Sequence, residues 1–221
     1  MRIKDFYKNA LGITDPEALE VFSEHTRLET VSRGTRLLSM GEQMEELCFL
    51  VDGVLRCYVV DENGQDITDC FICQAGDPVI GCGGFSAPSA VHIEAISNCQ
   101  LLVLPLREVL CLLERPEILK IYCTQLEQAL QRHWTIKMLL YRCDAMARYQ
   151  WFLEQYPQLE DLVNGKHVAS FLGMTPVTLS RLRRKLKTET LNKPPWCSTE
   201  AFLMPVKSAA GHLFGCPPGC R

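Results

Sequence analysis

The hydrophobic period of this chain changes once, near Leu106, and that change divides it into two kinds of structure. Before it, from Thr30 to about Leu104, short apolar runs are cut by turn signals. These are Ser32-Arg33-Gly34, Met40-Gly41-Glu42, Val51-Asp52-Gly53, Asn63-Gly64, Ala75-Gly76-Asp77-Pro78 and Ala87-Pro88-Ser89. Such runs suit strands of about four to eight residues and are too short for an amphipathic helix. Many short strands with regular turns predict an antiparallel sandwich or barrel. Asn63-Gly64, between Arg56–Val60 and Gln65–Ile72, predicts a type I′ hairpin, whose central positions both need positive φ.

After Leu106 the spacing is helical. A short helix is expected from Leu106 to Glu114, and Pro116 restarts the chain as a first-turn residue. A long helix then runs from Glu117 to about Cys143. Along it Leu119, Tyr122, Leu126, Ala129, His133, Ile136, Leu140 and Cys143 recur at spacings of three and four, as in a coiled-coil seam. A helix of that length spans about 40 Å, more than one face of a small barrel can cover. The simplest partner for the seam is its own copy across a two-fold axis. His133 reads as a tolerated seam residue rather than a ligand.

Two further helices are expected, Pro16 to Glu24 with Asp15 as N-cap, and about Asp144 to Tyr156, stopped by Pro157. A polar link, Gln158 to Gly165, leads onward. Residues 188–221 are rich in proline, carry three cysteines and show no clear period, so they read as an atypical tail without regular structure.

The chain has 221 residues, of which 47% are hydrophobic, enough for two modest domains. It has no run of apolar residues long enough to span a membrane, and Met1–Asp5 does not open a secretory signal. A cytoplasmic location with no membrane partner is the expectation. The net charge of −3 hides an asymmetry. From Leu162 to Lys187 there is no Asp or Glu, while Lys166, Arg181, Arg183, Arg184, Lys185 and Lys187 are basic; this leaves 17 basic against 26 acidic residues elsewhere. A positive module on an acidic body points to a polyanion partner for that module alone.

Its sequence says which polyanion. Lys166 to Leu172 can form a helix with Val168 and Leu172 inward and a small Ala169 that lets a second helix approach. Gly173 permits a positive-φ turn, Thr175 can cap the next helix, and Pro176 fits its first position. Leu179, Leu182 and Leu186 share the inner face. Val177, Thr178, Arg181, Arg184 and Lys185 are left pointing outward. This is a helix-turn-helix pattern, with a reading helix at about 175–187 for the major groove of double-stranded DNA. Thr175 and Ser180 are placed to donate to phosphates. Arg181 is the candidate for a bidentate contact to guanine, and Lys166, Arg184, Lys185 and Lys187 for the backbone.

Twelve cysteines sit mostly in apolar runs and read as core thiols. Cys70-Phe71-Ile72-Cys73, with Cys82 nearby, motivates an alternative, a cysteine-based redox or metal sensor with DNA binding as output. A strand would turn Cys70 and Cys73 to opposite faces, so no metal site and no cofactor are expected. His25, His92, His133, His167 and His212 lie in unlike contexts without a paired base and nucleophile, and an enzyme is not expected.

Several of these residues together resemble the family of the cyclic-AMP receptor protein and the fumarate–nitrate regulator (Crp/Fnr). They are Gly41-Glu42, Phe49-Leu50-Val51-Asp52-Gly53-Val54-Leu55-Arg56, the hairpin Asp61-Glu62-Asn63-Gly64, Gly76-Asp77 and Gly173-Met-Thr-Pro-Val-Thr-Leu-Ser-Arg-Leu-Arg. The resemblance covers about residues 5–187. It implies an α+β fold: an N-terminal jelly-roll β-barrel of the cyclic-nucleotide-binding kind (1–115), a long dimerisation helix (116–143) and a C-terminal helix-turn-helix domain (144–187), with 188–221 as the tail. A bacterial homodimer is implied, with DNA, RNA polymerase and a small-molecule effector as partners. The resemblance places an effector pocket at Gly81, Cys82, Gly83, Ser89 and Ala90. Cyclic-nucleotide binders of the family carry a Gly-Glu pair that takes the ribose hydroxyl and an Arg-Ser pair that neutralises the phosphate. Here Val79–Phe85 and Ala87–Val91 hold neither the carboxylate nor the guanidinium, so cyclic AMP is not the expected effector. Val177 stands where the family often has a glutamate that reads cytosine. There is little room between Pro157 and Lys166 for a β-hairpin wing.

Overall fold

A computed structural model describes residues 2–81 and 84–189. The expected tail, apart from its first two residues, and Cys82 and Gly83 of the expected effector pocket lie outside the described residues.

The chain opens with α1 (Ile3–Phe6), which widens into a π turn at Tyr7–Leu11, and α2 (Pro16–His25). The Asp15 carboxylate caps α2 as expected, accepting from the amides of Glu17 and Ala18. Eight strands follow: β1 (Arg27–Val31), β2 (Arg36–Leu38), β3 (Glu46–Asp52), β4 (Leu55–Val60), β5 (Asp66–Ile72), β6 (Pro78–Val79), β7 (His92–Ala95) and β8 (Cys99–Pro105). They form two four-stranded antiparallel sheets, ordered β1-β8-β3-β6 and β2-β7-β4-β5. Leu50, Leu55, Ile93, Leu101 and Val103 fill the space between the sheets. On the outside of the first sheet, Leu47, Phe49, Leu102 and Leu104 receive Phe6, Tyr7, Ile13 and Phe22 from the N-terminal helices. Burying apolar side chains on both faces explains why these strands read as continuous runs rather than an alternation.

The β4–β5 turn differs from the predicted type I′. The Gly64 amide donates to the Asp61 carbonyl at 3.0 Å, so Glu62 and Asn63 are the central residues and Gly64 follows them at φ +77°. The cause is Asp61, whose carboxylate accepts from the amides of both Asn63 and Gln65 and draws the turn one residue earlier.

Among the described residues, helices follow the strands: α3 (Leu106–Leu112), α4 (Pro116–Arg142), α5 (Ala145–Gln155), α6 (Leu159–Leu162), α7 (Gly165–Phe171) and α8 (Pro176–Glu189). The polar link expected at 158–165 instead holds α6, whose Leu159 is fully buried among Tyr149, Phe152 and Tyr156. A four-residue helix is too short to show a period in sequence.

Within one chain the residues of the expected α4 seam fall into two stripes. Ile136 is buried in the C-terminal core of its own chain, with Leu140 and Cys143 packed against that core. Tyr122 stacks on Phe85 at 5.0 Å between ring centroids, and the His133 imidazole faces Asp69 at 4.0 Å. Leu119 and Leu126 do lie open. They are joined by residues the expected seam omitted, Cys123, Leu130, Trp134 and Tyr141, of which Leu130 and Tyr141 are more than 70% exposed. The open stripe runs one residue later along the helix from 130 onward, because the side chains before it serve their own chain's core.

Candidate functional site

The helix-turn-helix forms from local signals. Asn164 caps α7, its side chain accepting from the Lys166 amide at 3.0 Å. Gly173 turns the chain at φ +60°, and the Arg148 guanidinium donates to the carbonyls of Leu172 and Gly173 at 2.7 and 3.2 Å. Those carbonyls end a helix and have no partner within it, so Arg148 supplies what the turn lacks. Thr175 opens α8, its hydroxyl accepting from the Thr178 amide at 3.1 Å. Val168, Leu172 and Leu179 are buried together, with Leu182 and Leu186 packed against them.

This packing fixes the outward face. Lys166, Thr175, Val177, Ser180, Arg181, Arg184 and Lys185 are exposed, and Thr178 is half-buried beside Thr175. Arg183 turns inward. Its Nε donates to Glu160 Oε1 at 2.7 Å, and the same oxygen accepts from the Tyr149 hydroxyl at 2.6 Å. Burial and the neighbouring Glu160 push the Tyr149 hydroxyl up to about 12, so it stays a donor. Arg183 therefore anchors α8 to α5 and α6, and five of the six basic residues of the module remain at the surface. Sequence reasoning missed the roles of Arg148, Glu160 and Tyr149. They lie 11 to 25 residues from the atoms they bond, beyond the reach of any local pattern.

The module is docked on the barrel. Phe71 of β5 meets Phe171 and Phe152, with ring centroids 5.2 and 6.4 Å away. The Thr68 amide donates to Ser170 Oγ at 2.9 Å, and that hydroxyl donates on to the Asp66 carbonyl. Arg56 on β4 is fully buried beneath this contact. It donates to Asp66 and to His167 Nε2 (3.2 Å), its Nε lies 3.3 Å from Glu94, and its guanidinium sits 4.2 Å over the Tyr58 ring. The Arg56 hydrogen bond holds the Asp66 carboxyl below the usual carboxylate range.

A cleft of about 340 Å³ lies between the barrel and α4, lined by Cys57, Cys70, Gly81, Tyr122, Leu126 and His133 among others. Of the described residues of the expected effector pocket, Gly81 lines this cleft. Ser89 and Ala90 are not among its lining. Ser89 is buried behind Gly81, with its hydroxyl turned to the Val91 carbonyl at 2.7 Å, and Ala90 is exposed. The cleft's charged lining was not foreseen, because Arg132 comes from α4. It faces Asp77 of the loop before β6 at 3.8 Å.

The cysteines divide by face as the strand period requires. Cys70 packs toward the barrel interior and Cys73 toward the C-terminal core. Burial and Asp77 push the Cys73 thiol up to about 11. The hydrogen bond with Cys57, then burial, raises that of Cys70 well above its ordinary value. Both are thiols at neutral pH, the state expected of core cysteines. Cys70 has a second set of neighbours, Asp69 and His133, whose ligand atoms and its own all lie within 4.8 Å of one another.

Residues 28–116 match the sequence model of the cyclic nucleotide-binding domain. No curated protein sequence matches the chain. Among solved structures, FixK2 from Bradyrhizobium japonicum superposes with a TM-score of 0.67 at 18% identity, covering 75% of this chain and 86% of its own. CLP from Xanthomonas campestris gives 0.64 at 16% identity, covering 82% and 96%. A regulator from Eubacterium rectale, placed in the Crp/Fnr family, gives 0.61 at 16%, covering 86% and 91%. This is the Crp/Fnr fold. At these identities the likeness is one of architecture: barrel, long helix and terminal helix-turn-helix occur in the same order. No helix among the described residues is long and apolar enough to cross a membrane.

Proposed function

We propose that this chain is a DNA-binding transcription regulator, not an enzyme, that works as a homodimer with α8 in the major groove. The observation that carries the reading is the outward face of α8. Val177, Ser180, Arg181, Arg184 and Lys185 are exposed on a helix held from behind by Leu179, Arg183 and Arg148, with no acidic side chain between residues 162 and 187. Arg181 reads a guanine, and Lys166, Thr175 and Ser180 hold phosphates. The apolar stripe of α4, with Leu119, Leu126, Leu130 and Trp134 open, supports pairing with a second copy. Such a dimer sets two α8 helices against half-sites about 34 Å apart. RNA polymerase is the further partner, in keeping with a cytoplasmic regulator.

The cleft between barrel and α4 takes the effector, and that effector is not cyclic AMP. CLP is described as c-di-GMP-responsive, so the fold admits other ligands. Among the described lining residues the one guanidinium, Arg132, already faces Asp77. A cyclic phosphate would have to break that pair and gain no carboxylate for its ribose.

Selection of bound sequences from random duplexes tests the reading. A two-fold symmetric motif with half-sites one helical turn apart is expected, unaltered by cyclic AMP. Recovery of unselected sequence, with binding that vanishes uniformly as salt rises, would refute a sequence-specific regulator.

A further inference from the structure

We propose that Asp69, Cys70 and His133 form a transition-metal site that ties the barrel to the long helix, with Zn²⁺ as the class of ion it takes. Their ligand atoms, one carboxylate oxygen, one thiol sulfur and one imidazole nitrogen, lie within 4.8 Å of one another. A tetrahedral ion with bonds of about 2.0–2.3 Å spaces its ligands about 3.5 Å apart, so closing the site takes shifts of about 1 Å. All three residues are half-buried, and His133 and Asp69 already face each other at 4.0 Å.

The donor set chooses the metal. One soft sulfur, one imidazole and one carboxylate suit a borderline ion such as Zn²⁺, whereas Mg²⁺ and Ca²⁺ want oxygen alone. Three protein ligands leave a fourth position open. Cys70 and His133 both line the barrel–helix cleft, so that position faces the effector cleft. Coordination replaces the Cys70 S–H bond by a sulfur–metal bond, and the proton leaves to solvent.

The site differs from the pair Cys70-x-x-Cys73, whose members lie on opposite faces of the sheet. Its third ligand comes from α4, 63 positions away in sequence. Filling it would draw α4 against β5, the strand that also bears the docked helix-turn-helix through Thr68 and Phe71.

Titration of reduced, metal-stripped full-length protein with Co²⁺ tests this. One ion per chain is expected, with a thiolate-to-cobalt charge-transfer band that Zn²⁺ abolishes by competition. Cys70→Ser should lose the band, and His133→Gln or Asp69→Asn should weaken binding at least tenfold. Cys73→Ser and the triple variant Cys197→Ser/Cys216→Ser/Cys220→Ser should keep both. Circular dichroism checks that each variant folds, and His133→Gln, at a half-exposed position, carries the test if Cys70→Ser does not fold. No band in the parent protein, its survival in Cys70→Ser, unweakened binding in His133→Gln, or its loss in Cys73→Ser or the triple variant would overturn the site. No DNA enters the titration, so its failure is separate from any failure of the DNA-binding reading.

Discussion

Gly173 sits at φ +60°, and a Cβ there would lie 3.1 Å from Arg148 Nη1 and 3.3 Å from Leu140 Cδ2. A side chain in the left-handed region costs about 1–2 kcal/mol. Gly173→Ala should therefore lower stability by about that amount, read as an earlier urea midpoint at unchanged slope. Asn, which tolerates the left-handed region, should recover part of the loss; equal loss for Ala and Asn would point to the Arg148 and Leu140 contacts instead. Arg181 is exposed on the outward face of α8 and is where sequence choice should reside. Arg181→Ala should cost about 1–3 kcal/mol on the selected operator. Salt-sensitive binding to unrelated duplexes should fall far less, and equal loss on both, measured by anisotropy, would assign Arg181 to phosphate contact alone. These residues were legible because cap, glycine and proline signals act over a few positions. Arg148 and Glu160 were not, because their partners are distant in sequence.

Along α4 two apolar stripes lie side by side. Ile118, Ile136 and Leu139 are buried in their own chain, whereas Leu119, Leu126, Leu130, Trp134 and Tyr141 are exposed. Spacings of three and four fit both stripes, so sequence reveals the helix without saying which stripe meets which neighbour. Only the folded position of α5 and the barrel decides that. The two stripes predict opposite outcomes for the same chemical change. Leu130→Asp or Trp134→Asp should give a folded monomer in sedimentation with an unchanged circular dichroism spectrum. Ile136→Asp should unfold the C-terminal core before it affects association, since a charge among Tyr149, Phe152 and Leu172 has no partner. A dimer that survives both Leu130→Asp and Trp134→Asp would remove α4 from the interface. The strands were equally visible as runs, yet the pairing of β1 with β8 or of β2 with β7 joins residues far apart in sequence and left no local mark.

Strand β5 is common to both junctions of the barrel: Thr68 and Phe71 hold the helix-turn-helix, and Asp69 faces His133 of α4. Beneath the first of these Arg56 joins Asp66, Glu94 and His167, a network drawing on barrel and helix-turn-helix together. Replacing Arg56 by Met keeps much of the volume and removes the charge, leaving two carboxylates without their cation. Loss of one partner of a buried pair costs about 3–5 kcal/mol; Asp66 stays near water, so about 2–3 kcal/mol is expected here. The pH dependence separates this from simple loss of packing. In the folded chain Asp66 binds its proton more weakly than when unfolded, because Arg56 stabilises the carboxylate. Its contribution is complete above about pH 4 and is lost as pH falls through the lowered folded value. In Arg56→Met that carboxyl returns toward its ordinary range. The variant should then be destabilised most near pH 7 and least near pH 3, the two melting curves converging as acid removes the pair from the parent protein. Parallel curves across that range would show that Arg56 acts through packing on Tyr58 alone, and that the junction is held by Phe71, Phe152 and Phe171 rather than by charge.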